Sequence, residues 1–297
     1  MIAINRRNFL KSANSIALAC ICNDFGIKSS FFDNSVVKFG IVTDLHFARI
    51  NTRINRYYDQ TLVKLQDAIS IFNENDLDFI IELGDFKDQG ETKEQTISFL
   101  IEIEKVFTKF KGPVYHVLGN HDMDNIDKKD FLKHTTNYGS ATGKSYYSFI
   151  RNGLKFIVLD ANYNPDGSSY NSGNFDWKEP YIPKPQQEWL TKELHNDYPV
   201  VVFLHQLLDL TQKPHNVCVI NASEIIDILE NSNKVLAVFQ GHHHNGSYNF
   251  SNNIHYYTLK GMVEGKLPEN NSFAIVTIDN LLNFSLKGYF NCEDMNF

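Results

Sequence analysis

Five short segments of this chain end in residues that bind hard or borderline metal ions: Asp44-Leu45-His46, Gly84-Asp85, Gly119-Asn120-His121-Asp122, His205 and Gly241-His242-His243-His244. Neutral imidazole suits Zn, Fe and Mn, while carboxylate and amide oxygens also admit Mn or Mg. Together the segments offer enough donors for two adjacent divalent cations. Such a pair activates water and neutralises phosphate oxygens, which is the chemistry of phosphate-ester hydrolysis.

Each piece alone is weak. Asp-x-His arises by chance, an Asp after Gly is often only a turn residue, and a His run can be a solvated loop. Their setting combines them. Four of the five follow an apolar, β-branched run. Sites in open α/β sheets collect at the carboxyl ends of strands. Asp44, Asp85, Asn120, His205 and His242 each fall within two or three residues of such an end.

The elements that must carry these ends are legible in the periodicity. Strands are expected over 36–43, 79–83, 114–118, 200–204 and 235–239. Helices are expected over 60–75, where Leu62, Leu65, Ile69 and Phe72 share a face, and over 92–110, which Gly112-Pro113 stops. The order β-α-β-α-β favours a parallel sheet with helices packed on it. Residues 146–150 and 154–159 read as a hairpin around Asn152-Gly153. Short helices follow at 186–194 and at 223–230, the latter capped by Asn221 or Ser223. Strands over 254–259, 273–278 and 282–286 close the chain. The polar stretch 162–185 is a long loop, a length that usually carries function or disorder.

The 297 residues allow one large α/β domain or two small ones, and with no linker after Val36, one domain is the simplest reading. The formal charge is −7 and no basic stripe stands out, so nothing argues for binding a nucleic-acid polymer. No apolar run reaches the roughly 18 residues of a membrane-spanning helix. Cys20, Cys22, Cys218 and Cys292 lack the paired spacing of a zinc ribbon. Cys218 and Cys292 read as structural thiols.

Residues 1–35 read as a targeting segment and linker, 36–290 as the domain and 291–297 as a tail. The run Asn5-Arg6-Arg7-Asn8-Phe9-Leu10-Lys11 resembles a twin-arginine export signal, followed by an apolar stretch and Ala17-Leu18-Ala19. The export machinery is then a partner, and the protein periplasmic or associated with the cell envelope. Cys20 offers a variant, a lipid-attachment cysteine. The alternative is a basic extension of a cytoplasmic protein.

The set Asp-x-His, Gly-Asp-x-x-Asp, Gly-Asn-His-Asp, lone His and Gly-His-x-His resembles the calcineurin-like metallophosphoesterase family, and the match spans residues 36 to about 286. The resemblance implies an α/β fold, a four-layer α-β-β-α sandwich with mixed sheets. It implies that one metal takes Asp44, His46, Asp85 and His244, the other Asp85, Asn120, His205 and His242, with Asp85 shared. A shared carboxylate offsets repulsion between two dications ~4 Å apart. The ions would be Mn, Fe or Zn. Alternation along an extended segment puts His242 and His244 on one side and leaves His243 off the metals or exposed.

By the same resemblance a hydroxide bridging the metals attacks phosphorus, and His121 protonates the leaving oxygen, with Asp122 beside it to hold the imidazole charged and oriented. Asp88 would be structural or orient a ligand.

Arg56-Tyr57-Tyr58, Asn216-Val217-Cys218, Gly246-Ser247-Tyr248, Tyr256 and Lys260-Gly261-Met262-Val263-Glu264 look most like the manganese-dependent ADP-ribose/CDP-alcohol diphosphatase branch. The chain departs from that branch at His46, where Gln is common, and lacks the usual Pro soon after the lone His. Arg53 and Arg56 could contact substrate phosphate or be surface cations. Tyr163, Tyr170, Phe175 and Trp177 could stack on a base or sugar, or simply pack the loop down. The expected substrate is a small phosphate ester with a phosphodiester or pyrophosphate bond, nucleotide-like in character. The alternatives are a broad phosphomonoesterase and a non-catalytic metal-binding module.

Overall fold

The computed structural model describes residues 36–138 and 143–297. The twin-arginine-like run, Cys20 and Cys22 lie outside the described residues.

A first sheet has the order β12-β11-β10-β1-β2-β3. Its strands are β1 (Val37–Val42), β2 (Phe79–Glu82), β3 (Val114–His116), β10 (Phe273–Ile278), β11 (Phe284–Tyr289) and β12 (Met295–Asn296). β1 runs parallel to β2, and β2 to β3, while β10 joins β1 antiparallel. A second sheet has the order β4-β5-β6-β7-β9-β8. It consists of β4 (Tyr147–Arg151), β5 (Leu154–Val158), β6 (Val200–Phe203), β7 (Val235–Gln240), β8 (Ser247–Ser251) and β9 (Ile254–Thr258). The run β5, β6, β7, β9 is parallel and the two edge strands are antiparallel. The parallel run expected from the β-α-β-α-β order is present as β1-β2-β3, and antiparallel strands extend each parallel run into a mixed sheet.

The two sheets face each other through one apolar core. Phe39, Phe79, Ile81 and Val117 meet Phe156, Val158, Phe203 and Phe239 there. Phe39 stacks on Phe79 at 5.0 Å and meets Phe203 edge-on at 5.6 Å. Helices cover the outer faces. Helix α1 (Thr61–Glu74), α2 (Lys93–Phe107) and α3 (Lys128–His134) lie on the first sheet, burying Leu65, Ile69, Phe72, Leu100, Phe107 and Phe131. Helix α4 (Lys184–Leu194) and α5 (Ala222–Ser232) cover the second through Leu190, Ile225 and Leu229. The result is the four-layer sandwich.

Several local readings change. Helix α3, with an Asp127–Asp130 capping box, and strand β8 arise where no element was expected. Residues 291–297 are not a tail: β12 pairs with β11, and Cys292 packs in the inter-sheet core. β11 starts later than expected, because Leu282 sits at a φ of 65° in a turn. Asn221 precedes α5 but does not cap it. Its amide instead pairs with the backbone of Ile182 in both directions, pinning the long loop. Among the described residues no helix is long and apolar enough to cross a membrane.

Candidate metal centre

Because β1, β2 and β3 are parallel, their carboxyl ends emerge at one edge, and β6 and β7 deliver theirs opposite. One bond joins the two sides, His242 N–H donating to the Asp44 carboxylate at 3.0 Å, while Gly241 N–H donates to His205 C=O at 3.0 Å within the second sheet's own strand ends. After β1, β2 and β7 the chain turns sharply. Asp44, His46, Asp85 and His242 have φ of 51°, 47°, 54° and 65°, a left-handed region that costs a non-glycine residue energy and persists where surroundings enforce it. These kinks aim consecutive side chains into the same space. His242 is therefore turned inward by a kinked loop rather than by strand alternation. Gly84 is needed by conformation and by space: its φ is 94°, and a Cβ would lie 2.6 Å from Gly119 N and 2.7 Å from His205 Nδ1.

Six of the expected donors gather as Asp44, His46 and His244 on one side and Asp85, His205 and His242 on the other, while His121 also lies within reach of His46 and Asp85. In one, Asp44 Oδ1 lies 3.1 Å from His244 Nε2 and 3.8 Å from His46 Nε2, and the two imidazole nitrogens are 3.2 Å apart. In the other, His205 Nε2 lies 3.2 Å from Asp85 Oδ2 and 3.2 Å from His242 Nδ1. Asp85 belongs to both, since the same Oδ2 is 3.5 Å from His46 Nε2. Its Oδ1 accepts the N–H of His121 at 2.8 Å, so both oxygens are fixed.

The donor chemistry fits two cations. Asp44 Oδ1 and Asn120 Oδ1 are buried without a hydrogen-bond partner, which is costly for polar atoms inside a protein. His205 Nδ1 donates to Leu83 C=O at 2.7 Å, which turns the Nε2 lone pair into the site. His244 Nδ1 likewise faces Glu264 Oε1 at 2.7 Å. Burial works to raise both carboxyls, yet His244 and His46 hold Asp44 well below its usual range, as His205 and His121 do Asp85. Both are ionised donors. Burial and the neighbouring His205 push His242 down to about 3, so its ring is neutral.

His121 stands beside the shared carboxylate, its ring 4.8 Å from that of His46. The carboxylate that orients it is Asp124, not Asp122: His121 Nδ1 is 2.7 Å from Asp124 Oδ2. Burial opposes charge on this imidazole, but Asp85 and Asp124 outweigh it and push it up to about 9. Asp122 has another task. Its two oxygens accept the N–H groups of Asp85, Phe86, Lys87 and Gly119 at 2.8–3.3 Å. It ties two metal-bearing loops together by main chain. The sequence signal for Asp124 was its place three residues after His121, visible once the short turn 121–123 is known. Asp88 faces two imidazoles, 3.5 Å from His46 Nδ1 and 3.8 Å from His121 Nδ1.

Of the two arginines, Arg56 reaches the site's wall. Its Nε is 3.6 Å from Glu264, the carboxylate behind His244. Arg53 is exposed and meets Arg56 through the backbone only. The loop aromatics also divide. Tyr170 is buried and stacks on Phe175 at 4.1 Å, and Lys128 lies over the Tyr163 ring. Trp177 is exposed and stands edge-on to His242 at 5.8 Å.

A layered α/β fold whose strand ends hold two donor groups joined by one carboxylate defines a dinuclear metal hydrolase. Residues 37–246 match the calcineurin-like phosphoesterase family, and the chain belongs to it. It is a metallophosphoesterase, a hydrolase of phosphoric ester or phosphoanhydride bonds with divalent metal cofactors. The chain is 25% identical over 310 residues to a manganese-dependent ADP-ribose/CDP-alcohol diphosphatase of Arabidopsis thaliana, covering 87% of this chain and 96% of that one. A protein of the same description from Homo sapiens is 22% identical, covering 86% and 94%. Among solved structures, a dimetal phosphatase from Danio rerio superposes with a TM-score of 0.75 at 20% identity, covering 88% and 98%. A purple acid phosphatase from yellow lupin gives 0.59 at 13% identity, covering 89% and 53%. The structural likenesses speak to the fold.

Proposed function

We propose that this chain hydrolyses phosphodiester or pyrophosphate bonds in small nucleotide-like substrates. The observation that carries the reading is Asp85, shared by two donor groups with His121 hydrogen-bonded to it through its backbone. When bound, the two cations supply Lewis acidity: they activate water at neutral pH and neutralise charge on phosphate oxygens.

The protein's own groups do the rest. Asp124 fixes the His121 proton at Nδ1 and raises the ring's basicity, so a charged imidazole presents Nε2 to the leaving oxygen. Arg56, held by Glu264, is placed to receive a second phosphate on the His244 side. Trp177 offers an exposed aromatic face on the His242 side, as base recognition requires.

The diphosphatase relatives support the narrower substrate class. So does the meeting of two of the segments that resemble them. Tyr57 N–H donates to Val263 C=O, and the buried Lys64 ammonium donates to the carbonyls of Met262, Glu264 and Gly265. Segments 56–58 and 260–264 thus form one wall, joined to the metal loop where Met262 and Val263 N–H donate to Thr43 and Asp44 C=O.

The test is turnover with Mn²⁺ of ADP-ribose, a CDP-alcohol, bis-p-nitrophenyl phosphate and p-nitrophenyl phosphate. The diphosphates and the diester should exceed the monoester. Faster monoester hydrolysis would replace the reading with a phosphomonoesterase, and inertness to all four with a binding module.

We also infer export to the periplasm or cell envelope, supported by the Asn5–Lys11 pattern. Fractionation with N-terminal sequencing tests it, and the same sequencing separates cleavage from lipid attachment at Cys20. An intact chain in the cytoplasm would overturn it.

A further inference from the structure

We infer that His116 is a positioning residue for the metal centre: clamped between Glu104 and Glu82, it sets the backbone that aims the Asp85 carboxylate. The inference rests on the reading of Asp85 as the shared donor.

Four consecutive amides, residues 84–87, carry that carboxylate, and each is held by a side-chain carboxylate. Asp122 takes those of Asp85, Phe86 and Lys87. Gly84 N–H donates to Glu82 Oε2 at 2.8 Å. Gly84 and Asp85 both have positive φ, so the turn is one that its surroundings must impose. Asp122 belongs to the metal loop itself. Glu82 instead leads away from the site: its Oε1 lies 2.9 Å from His116 Nδ1, and His116 Nε2 lies 3.2 Å from Glu104 Oε2. Glu104 Oε1 in turn accepts the N–H of Thr136 at 2.7 Å. A polar chain therefore runs from helix α2 and the segment after α3, across β3 and β2, to the residue preceding Asp85.

This chain is not what packing alone would select. Glu82 is fully buried on an otherwise apolar strand, and the rings of Phe86, Phe107 and Phe131 surround His116 at 5.0–5.9 Å. A carboxyl in such a place would otherwise hold a proton. Burial raises the Glu82 carboxyl, the His116 imidazole and the Gly84 amide work against that rise, and Glu82 Oε2 accepts the Gly84 N–H. Burial opposes charge on His116, but Glu104 and then Glu82 push it up to about 10. Outer groups that orient metal donors typically change metal affinity or activity about 10- to 100-fold when removed.

The experiment titrates Mn²⁺ into metal-free wild type, His116→Leu, His116→Gln, Glu104→Gln and Asp85→Asn by calorimetry, with circular-dichroism melting alongside. His116→Leu should weaken Mn²⁺ binding about 10-fold or more, and His116→Gln, which keeps hydrogen-bonding atoms, should recover part of it. A purely structural role would lower the melting temperature and leave Mn²⁺ affinity at the wild-type value, and that result overturns the inference. If His116→Leu does not fold, Glu104→Gln decides: a Kd raised about 3-fold or more supports positioning, and an unchanged Kd rejects it. Asp85→Asn separates the two readings. Loss of metal there with normal binding in the His116 and Glu104 variants rejects only the positioning role. Normal binding in Asp85→Asn rejects the shared-donor reading and this inference with it.

Discussion

On the His244 side of the centre the imidazoles are backed by carboxylates, whereas on the His242 side they are held by main chain. His244 Nδ1 meets Glu264, which also faces Arg56 and Asn55, and His46 Nδ1 lies 3.5 Å from Asp88. Across the centre, His205 leans on the Leu83 carbonyl, the His242 backbone N–H is fixed by Asp44, and His242 Nε2 is buried without a partner. A carboxylate behind an imidazole strengthens it as a donor. A carbonyl mainly fixes its tautomer and angle. One half of the centre is tuned by charge, the other by backbone geometry, and Asp85 joins them.

The largest effects erase the comparison. Asp85→Asn should remove at least one equivalent of metal and most activity, because it serves both halves. Two equivalents by elemental analysis would count against the shared role. His121→Ala should keep both equivalents yet lower turnover by about 10²-fold or more, the scale of lost proton transfer. Metal loss in that variant would mean the imidazole is a donor instead.

The next variant sharpens the contrast. Glu264→Gln removes charge behind His244 alone, and should weaken one of two Mn²⁺ binding events by about 10-fold in a calorimetric titration. Equal weakening of both events would deny that the halves are independently braced. The smallest expected effect falls on the other side. Trp177→Ala should raise KM for ADP-ribose about 5-fold, from loss of about 1 kcal/mol of stacking, and leave KM for a base-free diphosphate unchanged. An equal change for both substrates would remove Trp177 from base recognition.

Much of this was legible because it is local. An apolar run ending in Asp, Asn or His marks a strand end, and Asp44, His46, Asp85, His205, His242 and His244, named from such ends, gather in the structure. Helices α1 and α2 were visible for the same reason, since their buried residues repeat at helical spacing. What escaped depended on a turn or on distant chain. Asp122 lies within the short turn 121–123 and Asp124 follows it, and only its geometry shows that Asp124 meets the imidazole while Asp122 gathers four amides. β8 alternates exposed and half-buried residues at a sheet edge, and β12 is two residues long, so neither leaves a strong periodic trace.

The chain by itself determined which residues could donate to metal and at which strand ends they stand, because strand termination and residue chemistry are written in adjacent positions. Only the tertiary structure decided the partners. Glu264 stands behind His244 because Gly261 N–H donates to His244 C=O while Lys64 of α1 anchors the carbonyls of residues 262, 264 and 265, and Asp85 reaches both donor groups because the sheets stack with their carboxyl ends at one edge. Such pairings follow from sheet order and kinked backbone at positive φ, and no spacing along the chain encodes them.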